Sequence, residues 1–596
     1  MLLQNINLKM KLSDYIIEFL AKKDIKYIFG ITGVSAVHLF DSISKNPNVE
    51  YICPQHEQTA AMAADAYSRL TNNFGVAITT SGPGATNLVT GVCCSYFDSI
   101  PTLMITGQVP LSQCKKDSKI RQIGFQETDI VEMFKPVTKY SKLIEDPYDI
   151  RYELEKAIHI AKTERPGPVL LDIPDDLQRQ DIDISKLREY IPETEEYPQD
   201  LDEKITNLIN LIKDSERPII ILGGGIKLAK AEEKAKRLIE KLNFPVALTW
   251  ATKDMLPHDY PLVIEGFGVA AERAGNFAVQ NADLIIALGT RLDTHETGND
   301  LSKFGREAKK VVLDIDNYEL EKYEPRGMNI DLKINIDANI FLDSLLEKEI
   351  PSKNIPNWLD KIKEWRTKYP ICQKEFFEQK EKVNPYVFLD ELSKQSNEGD
   401  IILTDAGSNL TWTMQAFRIK QNQRLFSAFN HSPMGYSLSA SIGAYFATKK
   451  SITCITGDGG IQMNIQELAT IRKHNLPIKI FLFNNNGYGI IQQTQDTWLN
   501  SNYAASNPDK GVAIPDFIRI SKAYDIPTIT IKDHSELYKI RKVLNYSGPV
   551  LCNILINQHH KIAPKLDFGG SIEDPSPKLS RDEFNKNMII NPLEEG

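Results

Sequence analysis

Two residues of complementary type stand at a spacing that can hold a divalent cation. Asp458 follows the apolar run Ile452 to Thr456 in the turn Gly457-Asp458-Gly459-Gly460. Asn485, 27 positions further on, follows the run Ile478 to Phe483 in Asn484-Asn485-Asn486-Gly487. Two such strands side by side place a carboxylate and an amide at one sheet edge, the oxygen ligands that suit magnesium bridging to phosphates. Gly459 and Gly460 let the backbone approach a phosphate, and a helix beginning near Asn464 aims its N-terminus at the same negative charge. A Gly-Asp-Gly turn alone is ordinary turn chemistry. The paired amide-bearing turn is what points to a metal and phosphate site.

The elements that must position these residues repeat along the chain. Three stretches carry β-branched apolar runs that end in glycine and pass into helical periodicity, the pattern of parallel βαβ units. The reading is therefore an α/β protein of three doubly wound parallel-sheet domains, at about residues 10–180, 202–350 and 380–560. Their strands include Val76 to Thr80, Pro218 to Leu222, Ala282 to Leu288, Ile452 to Thr456 and Ile478 to Phe483. The Glu-, Pro- and Tyr-rich segment Asp181 to Leu201 reads as a linker. The polar, proline-punctuated stretch 561–596 reads as a tail lying over the body.

Composition limits the function classes. The 596 residues include 70 basic and 79 acidic side chains, a net charge of −9, which argues against a nucleic-acid-binding surface. Seven scattered cysteines with no C-x-x-C pair indicate neither a disulfide framework nor a zinc site, and they fit a reducing cytoplasm. The apolar runs are strand-sized, short of the roughly 18 residues of a membrane span. The N-terminus lacks the apolar core of a signal peptide. The expectation is a cytoplasmic protein without nucleic-acid or membrane partners.

The Gly-Asp-Gly turn followed at this spacing by Asn-Asn resembles the thiamine-diphosphate-binding pattern of the thiamine-dependent decarboxylase and carboligase family. Further segments, in family order, resemble acetolactate synthase catalytic subunits: His56-Glu57-Gln58, Ser81-Gly82-Pro83-Gly84-Ala85-Thr86-Asn87, Phe125-Gln126-Glu127, Arg165-Pro166-Gly167-Pro168-Val169, Gln280-Asn281-Ala282-Asp283-Leu284-Ile285 and Met434-Gly435-Tyr436. The resemblance implies a thiamine-diphosphate-binding fold with a Rossmann-like central domain. It further implies decarboxylation of a 2-oxo acid, pyruvate, and transfer of the hydroxyethyl unit to a carbonyl acceptor. Glu57 would hydrogen-bond the cofactor's aminopyrimidine and favour the tautomer that takes the proton from the thiazolium carbon. Read alone, a glutamate opening an Ala-rich helix could merely complement the helix dipole.

The same resemblance assigns the other roles. Asp458 and Asn485 would ligate Mg2+ through side chains and Gly487 through its carbonyl. Ser408 and Asn409, with Gly459 and Gly460, would grip the diphosphate, and Met434 would hold the cofactor bent, although a Met is more often core filling. Phe125 and Gln126 would line the reacting carbon beside Glu57. In the middle domain Gly223, Gly224, Gly225, Gly289, Arg291, Asp293, Asp314 and Asp316, with Arg165 from the first domain, would contact FAD that does no net redox chemistry. A domain that has kept the fold and lost the flavin is the alternative. The two halves of each site would come from different subunits, so a homodimer is the smallest unit and a homotetramer is also compatible. A regulatory subunit is left open.

Three single positions and one loop depart from the acetolactate synthase pattern. The tryptophan and methionine that select the second 2-oxo acid are Thr494 and Ile490, and the arginine two positions after the Asp of the G-x-R-x-D segment is His295. The family's Pro-Gly-Gly-Ala loop is Thr32-Gly33-Val34-Ser35. A guanidinium holds a carboxylate bidentately and a neutral imidazole cannot, so the acceptor half is rebuilt around an intact donor half. Asn484 to Gln493 and the tail Glu573 to Pro577 resemble a branch associated with nucleotide-sugar pathways, whose members transfer a two-carbon unit to a keto-sugar. A simple 2-oxo acid decarboxylase is the other alternative. The joint presence of Glu57, Asp458 and Asn485 argues against a non-catalytic homologue. His431 could serve as an acid or base, but a lone histidine is more often structural, and His559-His560 has no further ligands in sequence.

Overall fold

The computed structural model describes residues 9–116, 118–193 and 199–593. It contains three six-stranded sheets in which every strand pair is parallel. From edge to edge the first sheet runs Glu50–Ile52, Tyr27–Ile31, Gly75–Thr79, Thr102–Gln108, Val169–Pro174 and Tyr140–Leu143. The third runs Arg424–Phe426, Ile401–Thr404, Ile452–Gly457, Ile478–Asn484, Val550–Leu555 and Thr528–Ile531. Numbered within each domain, both have the order 2-1-3-4-6-5. The middle sheet runs Val263–Glu265, Val246–Leu248, Pro218–Leu222, Leu284–Leu288, Lys309–Asp314 and Leu332–Asn335, which is 3-2-1-4-5-6, the dinucleotide-fold order.

These strands form where both sheet faces are covered, so their sequences are continuous apolar runs. Ile219, Ile220, Ile221 and Leu222 are all fully buried, each worth about 1.5–3 kcal/mol of transfer energy. In an open sheet, ligands gather beyond the carboxyl ends of the strands where the order reverses. Those points lie between Tyr27–Ile31 and Gly75–Thr79, between Pro218–Leu222 and Leu284–Leu288, and between Ile401–Thr404 and Ile452–Gly457. The glycine-rich turns singled out in the sequence sit there.

Two expectations need correction. Part of the presumed linker is structured: Asp181–Asp183 pairs antiparallel with Lys9–Lys11, closing the first domain, and residues 194–198 lie outside the described residues. The tail does more than lie over the body. Leu566, Ile572 and Phe584 enter the middle domain's core, while Asn587 accepts from Trp365 Nε1 at 3.0 Å and Glu573 accepts from Gln280 at 2.8 Å. Polar, proline-broken sequence hid the spaced apolar residues that complete this core.

The first and third domains meet along the helices Glu57–Thr71 and Tyr436–Thr448. Thr59 and Ser439 hydroxyls lie 2.9 Å apart, and Gly443 passes directly over the backbone of Ala63. A side chain at Gly443 would overlap the Ala63 carbonyl, so the crossing tolerates only glycine. Gly443→Val is expected to cost about 1–3 kcal/mol or more through overpacking. A lowered thermal midpoint and faster proteolysis between the two domains would report it, and an unchanged midpoint would contradict the close crossing.

Candidate active site

The third-domain site is built from the ends of three adjacent strands. Asp458 is the first residue of a helix, Asp458–Met463, rather than lying a turn before one near Asn464. The positive helix end therefore begins at the carboxylate itself. Asp458 is almost fully buried, and its Oδ2 accepts from the amide of Gly487 at 3.1 Å. Burial raises its pKa to about 6, while the surrounding amides of Gly487, Gly459, Asn486 and Asn485 oppose the shift. The two turns expected from sequence to converge are thus joined. A Cβ built on Gly489 would lie 2.8 Å from Asn485 Nδ2 and 3.3 Å from Ser408 Oγ, so these two side chains flank one point of the backbone.

The donor set fits a hard cation and an anionic phosphate group: one carboxylate, one side-chain amide and the Gly487 turn, beside the N-terminus of the helix Ser408–Ala416. Among the described residues no group of three or more His, Cys, Asp or Glu could hold a metal.

The glycines of the turn have a different reason from the one read in sequence. A side chain on Gly459 would collide with the ring of Tyr488, and one on Gly460 would lie 2.5 Å from Asp405 Oδ2. Protein groups fill both spaces. Asn409 is likewise committed locally: its side chain donates to Ala406 O at 2.7 Å and accepts from the Asp405 amide at 3.1 Å. Any hold it has on a diphosphate would come from the helix backbone.

Sequence reading missed Asp405, which organises the site. It is fully buried, and Oδ1 accepts from the amides of Gly435 (2.8 Å) and Ala406 (2.9 Å) while Oδ2 accepts from Thr456 Oγ1 (2.7 Å). Burial raises its pKa to about 6. It ties together the turn before Ser408, the turn carrying Met434 and the strand leading to Asp458. An aspartate ending a strand immediately before a glycine turn was the available signal. Asn464 supports Met434 from the other side, donating to Gly435 O at 3.1 Å and accepting from Gln58 at 3.2 Å.

In the first domain Glu57 opens the helix Glu57–Thr71, whose N-cap His56 accepts from Gln58 N at 3.1 Å. Its Oε2 accepts from Asn87 Nδ2 at 2.9 Å, which aims the carboxylate at the Ser81 to Asn87 loop. Gly82 of that loop packs on Gln126, with a built Cβ 2.8 Å from Gln126 O. Glu57 and Gln126 are therefore gathered at one sheet end. Phe125 and Val34 stand 84% and 82% exposed in the single chain, large apolar groups offered outward. No hydrogen bond among the described residues joins Glu57 to the Asp458 group. Within one chain the domains are connected instead through Glu467, which accepts from Gln55 N at 3.0 Å, and Asn464.

The middle-domain residues fall into two groups. Gly223, Gly225 and Gly289 pack backbone to backbone: Gly225 N donates to Gly289 O at 2.8 Å, and Gly289 has φ +62. Gly224 has only Ala251 near, at 3.2 Å from a built Cβ. Beside them Arg291 reaches Asp293 (3.2 Å) and Asn430 of the third domain (2.7 Å), and Asp293 caps the helix Thr294–Thr297. The second group is Arg165, bridging Asp316 (3.0 Å) and Glu319 (2.8 Å), with Asp314 accepting from the Asp316 amide at 2.9 Å. Burial raises the Asp314 pKa to about 6. Acidic acceptors beyond strand ends of a dinucleotide-type sheet fit ribose hydroxyls.

The residues expected around the acceptor are partly committed elsewhere. Thr494 Oγ1 donates to Ile490 O at 3.1 Å in its own helix, and Ile490 lies 3.9 Å from a Cβ built on Gly407. His295 packs on Trp250, ring centroids 4.0 Å apart, and burial lowers its pKa. His431 stacks on Phe97 at 5.6 Å. His560 is wedged edge-on against Trp412 with its pKa pushed down to about 4 by burial.

Three family profiles match the chain: the N-terminal TPP binding domain of thiamine pyrophosphate enzymes over residues 10–133, their central domain over 205–345, and their C-terminal TPP binding domain over 405–554. The acetolactate synthase large subunit of Cyanidium caldarium is 33% identical over 568 residues, covering 93% of this chain and 95% of the relative. The chloroplastic acetolactate synthase 2 of Zea mays is 34% identical over 578 residues, covering 94% and 88%. With matched profiles on all three sheets and relatives aligned over nearly its whole length, the chain belongs to the thiamine pyrophosphate enzyme family and, within it, to the acetolactate synthase large subunits.

Proposed function

We propose that the protein decarboxylates pyruvate and joins the remaining two-carbon unit to the carbonyl carbon of an acceptor, using thiamine diphosphate and Mg2+. The observation that carries this reading is the joint presence of Glu57, aimed by Asn87 at the end of the first sheet, and the Asp458, Asn485 and Ser408 group at the matching end of the third. Asp458, Asn485 and the Gly487 carbonyl would hold the magnesium, and Ser408 with the two helix N-termini would hold the diphosphate. Bound thiamine diphosphate supplies a nucleophilic carbon that also takes up the electron pair released with carbon dioxide.

The chain's own residues do the rest. Glu57 would hold or release a proton at the aminopyrimidine ring, Met434 would pack against the bound cofactor, and Gln126 with Phe125 would line the reacting carbon. In the overall change the C1–C2 bond of pyruvate breaks and carbon dioxide leaves. Its electron pair forms the new bond from C2 to the acceptor carbon, whose oxygen takes a proton. There is no net oxidation. The exposed Phe125 and Val34 favour a homodimer in which a partner subunit covers the Glu57 face and supplies the magnesium half of the site. Seven free cysteines support a reducing, cytoplasmic setting. Among the described residues no helix is long and apolar enough to cross a membrane.

Glu57→Gln should lower carbon dioxide release from pyruvate about 10²–10⁴-fold, the usual weight of a positioned acid or base, with unchanged circular dichroism. Full activity in this variant would remove Glu57 from the chemistry. We also propose that FAD binds the middle domain, with Asp314 and Asp316 toward ribose and the Gly223 to Gly225 and Gly289 turns toward the pyrophosphate. Freshly purified protein should show flavin absorbance that Asp314→Ala diminishes. A colourless protein that takes up no added FAD would mean the fold has outlived its ligand.

A further inference from the structure

Glu467 is a buried acid outside the catalytic groups. It opens the third-domain helix Glu467–Lys473 and is fully buried. Its carboxylate faces the first domain of its own chain. Oε1 and Oε2 accept from the backbone amide of Gln55 at 3.0 and 3.1 Å, and Oε2 also accepts from Thr470 Oγ1 at 2.8 Å. The amide of His56 and the hydroxyl of Thr59 add to its hold. These donors bracket Glu57 on both sides in the sequence. In a capping box the third residue of a helix reaches back with a carboxylate to the amide at its start. The third residue of the helix Glu57–Thr71 is Thr59, too short for that reach, and Glu467 supplies the carboxylate from another domain.

The same segment holds the helix a second time, since Asn464 accepts from Gln58 at 3.2 Å. From the opposite side Asn87 donates to Glu57 Oε2 at 2.9 Å. Glu57 thus stands between an amide that aims its side chain and a carboxylate that fixes its backbone. Burial raises the Glu467 pKa to about 7, and the groups opposing that shift are neutral donors. The ionisable groups of the surrounding elements leave it uncompensated. Glu50, Arg472 and Lys473 are exposed, and burial favours the neutral forms of Cys53 and His474. His56 Nδ1 is taken up by the Gln58 amide. The helix Tyr436–Thr448 carries no carboxylate, imidazole or basic side chain, and Asp65 pairs with Arg69 two turns beyond Glu57.

Resting on the reading of Glu57 as the group that holds a proton at the aminopyrimidine, we propose that Glu467 is its positioning residue: the Glu467 carboxylate fixes the turn from which Glu57 projects, and its negative charge keeps the proton on Glu57. An anion at Glu467 disfavours a second anion beside it, so Glu57 stays protonated to higher pH than it would alone. Glu467→Gln keeps an oxygen for the Gln55 amide and removes the charge. Glu467→Ala removes both.

The test is the pH profile of kcat/KM for carbon dioxide release from pyruvate, measured on wild-type and variant holoenzymes between about pH 5 and 9. In Glu467→Gln the alkaline limb is expected about one pH unit lower, with kcat at the optimum within about threefold of wild type. In Glu467→Ala kcat should fall about tenfold or more with KM little changed, because the acid is misplaced while the pyruvate contacts remain. A second readout needs no cofactor. A carboxyl whose folded pKa is raised to about 7 contributes stability that is full below about pH 4.5 and lost as the pH rises through about 7. The thermal midpoint of cofactor-free protein should therefore fall less between about pH 5 and 8 in Glu467→Gln than in wild type. A Glu467→Gln profile that superimposes on wild type, or a midpoint whose pH dependence it leaves unchanged, would overturn the proposal, as would a folded Glu467→Ala protein with full kcat. Should Glu467→Ala not fold, the Glu467→Gln profile decides. Full activity in Glu57→Gln would bring down the reading of Glu57 and this proposal together, whereas an unshifted Glu467→Gln profile in a protein that needs Glu57 would bring down the proposal alone.

Discussion

The arrangement depends on one close crossing, where Gly443 lets the helix after Met434 touch the backbone of the helix that begins at Glu57. These two helices start at the functional ends of the third and first sheets, so their crossing sets how the two sheet ends face. Interiors are close-packed and transmit displacement. A methyl group at the crossing would move the acid of one domain relative to the methionine turn of the other. Buried polar links reinforce the contact. Arg69 pairs with Asp65 at 2.7 Å and Asp98 at 2.8 Å, and Asp98 accepts from the amides of Phe429 and Asn430 at 3.0 Å. Asn430 in turn accepts from Arg291, which extends the chain of contacts into the middle domain.

An acidic chain must hold a diphosphate without a lysine or arginine cluster. The solution visible in the third domain is to invest in oxygens, amides and helix ends. Asp458 sits at a helix start among four amides, and a divalent cation would replace the proton that burial favours on it. Asp405 performs the structural counterpart, gathering three donors from three segments so that the turns keep their shape. The net charge of −9 then belongs to the exterior.

Much of this was legible in the sequence because buried parallel strands are written as unbroken β-branched runs. Pro218–Leu222 is as read, and Ile452–Gly457 and Ile478–Asn484 differ by one residue at the end. The pairing of Asp458 with the Asn485 turn was legible for the same reason, since register follows from neighbouring strands. What escaped depends on contacts distant in sequence. Gly459 and Gly460 make room for Tyr488 and Asp405, the Asn409 side chain folds back on its own turn, and the tail fills the middle core. No local pattern announces which protein group will occupy the space a glycine leaves. The rebuilt acceptor side was visible as substitutions at His295, Ile490, Thr494 and Val34, but the packing of His295 on Trp250 emerged only from the fold.

The central claim is that Glu57 of one subunit and the Asp458 group of another serve a single cofactor. Co-expression of Glu57→Gln and Asp458→Ala chains, each inactive alone, tests it directly. Mixed dimers carry both substitutions in one site and neither in the other, so purified heterodimers should regain about half the wild-type carbon dioxide release per dimer, the share of one intact site among two. Heterodimers no more active than either parent would contradict the account.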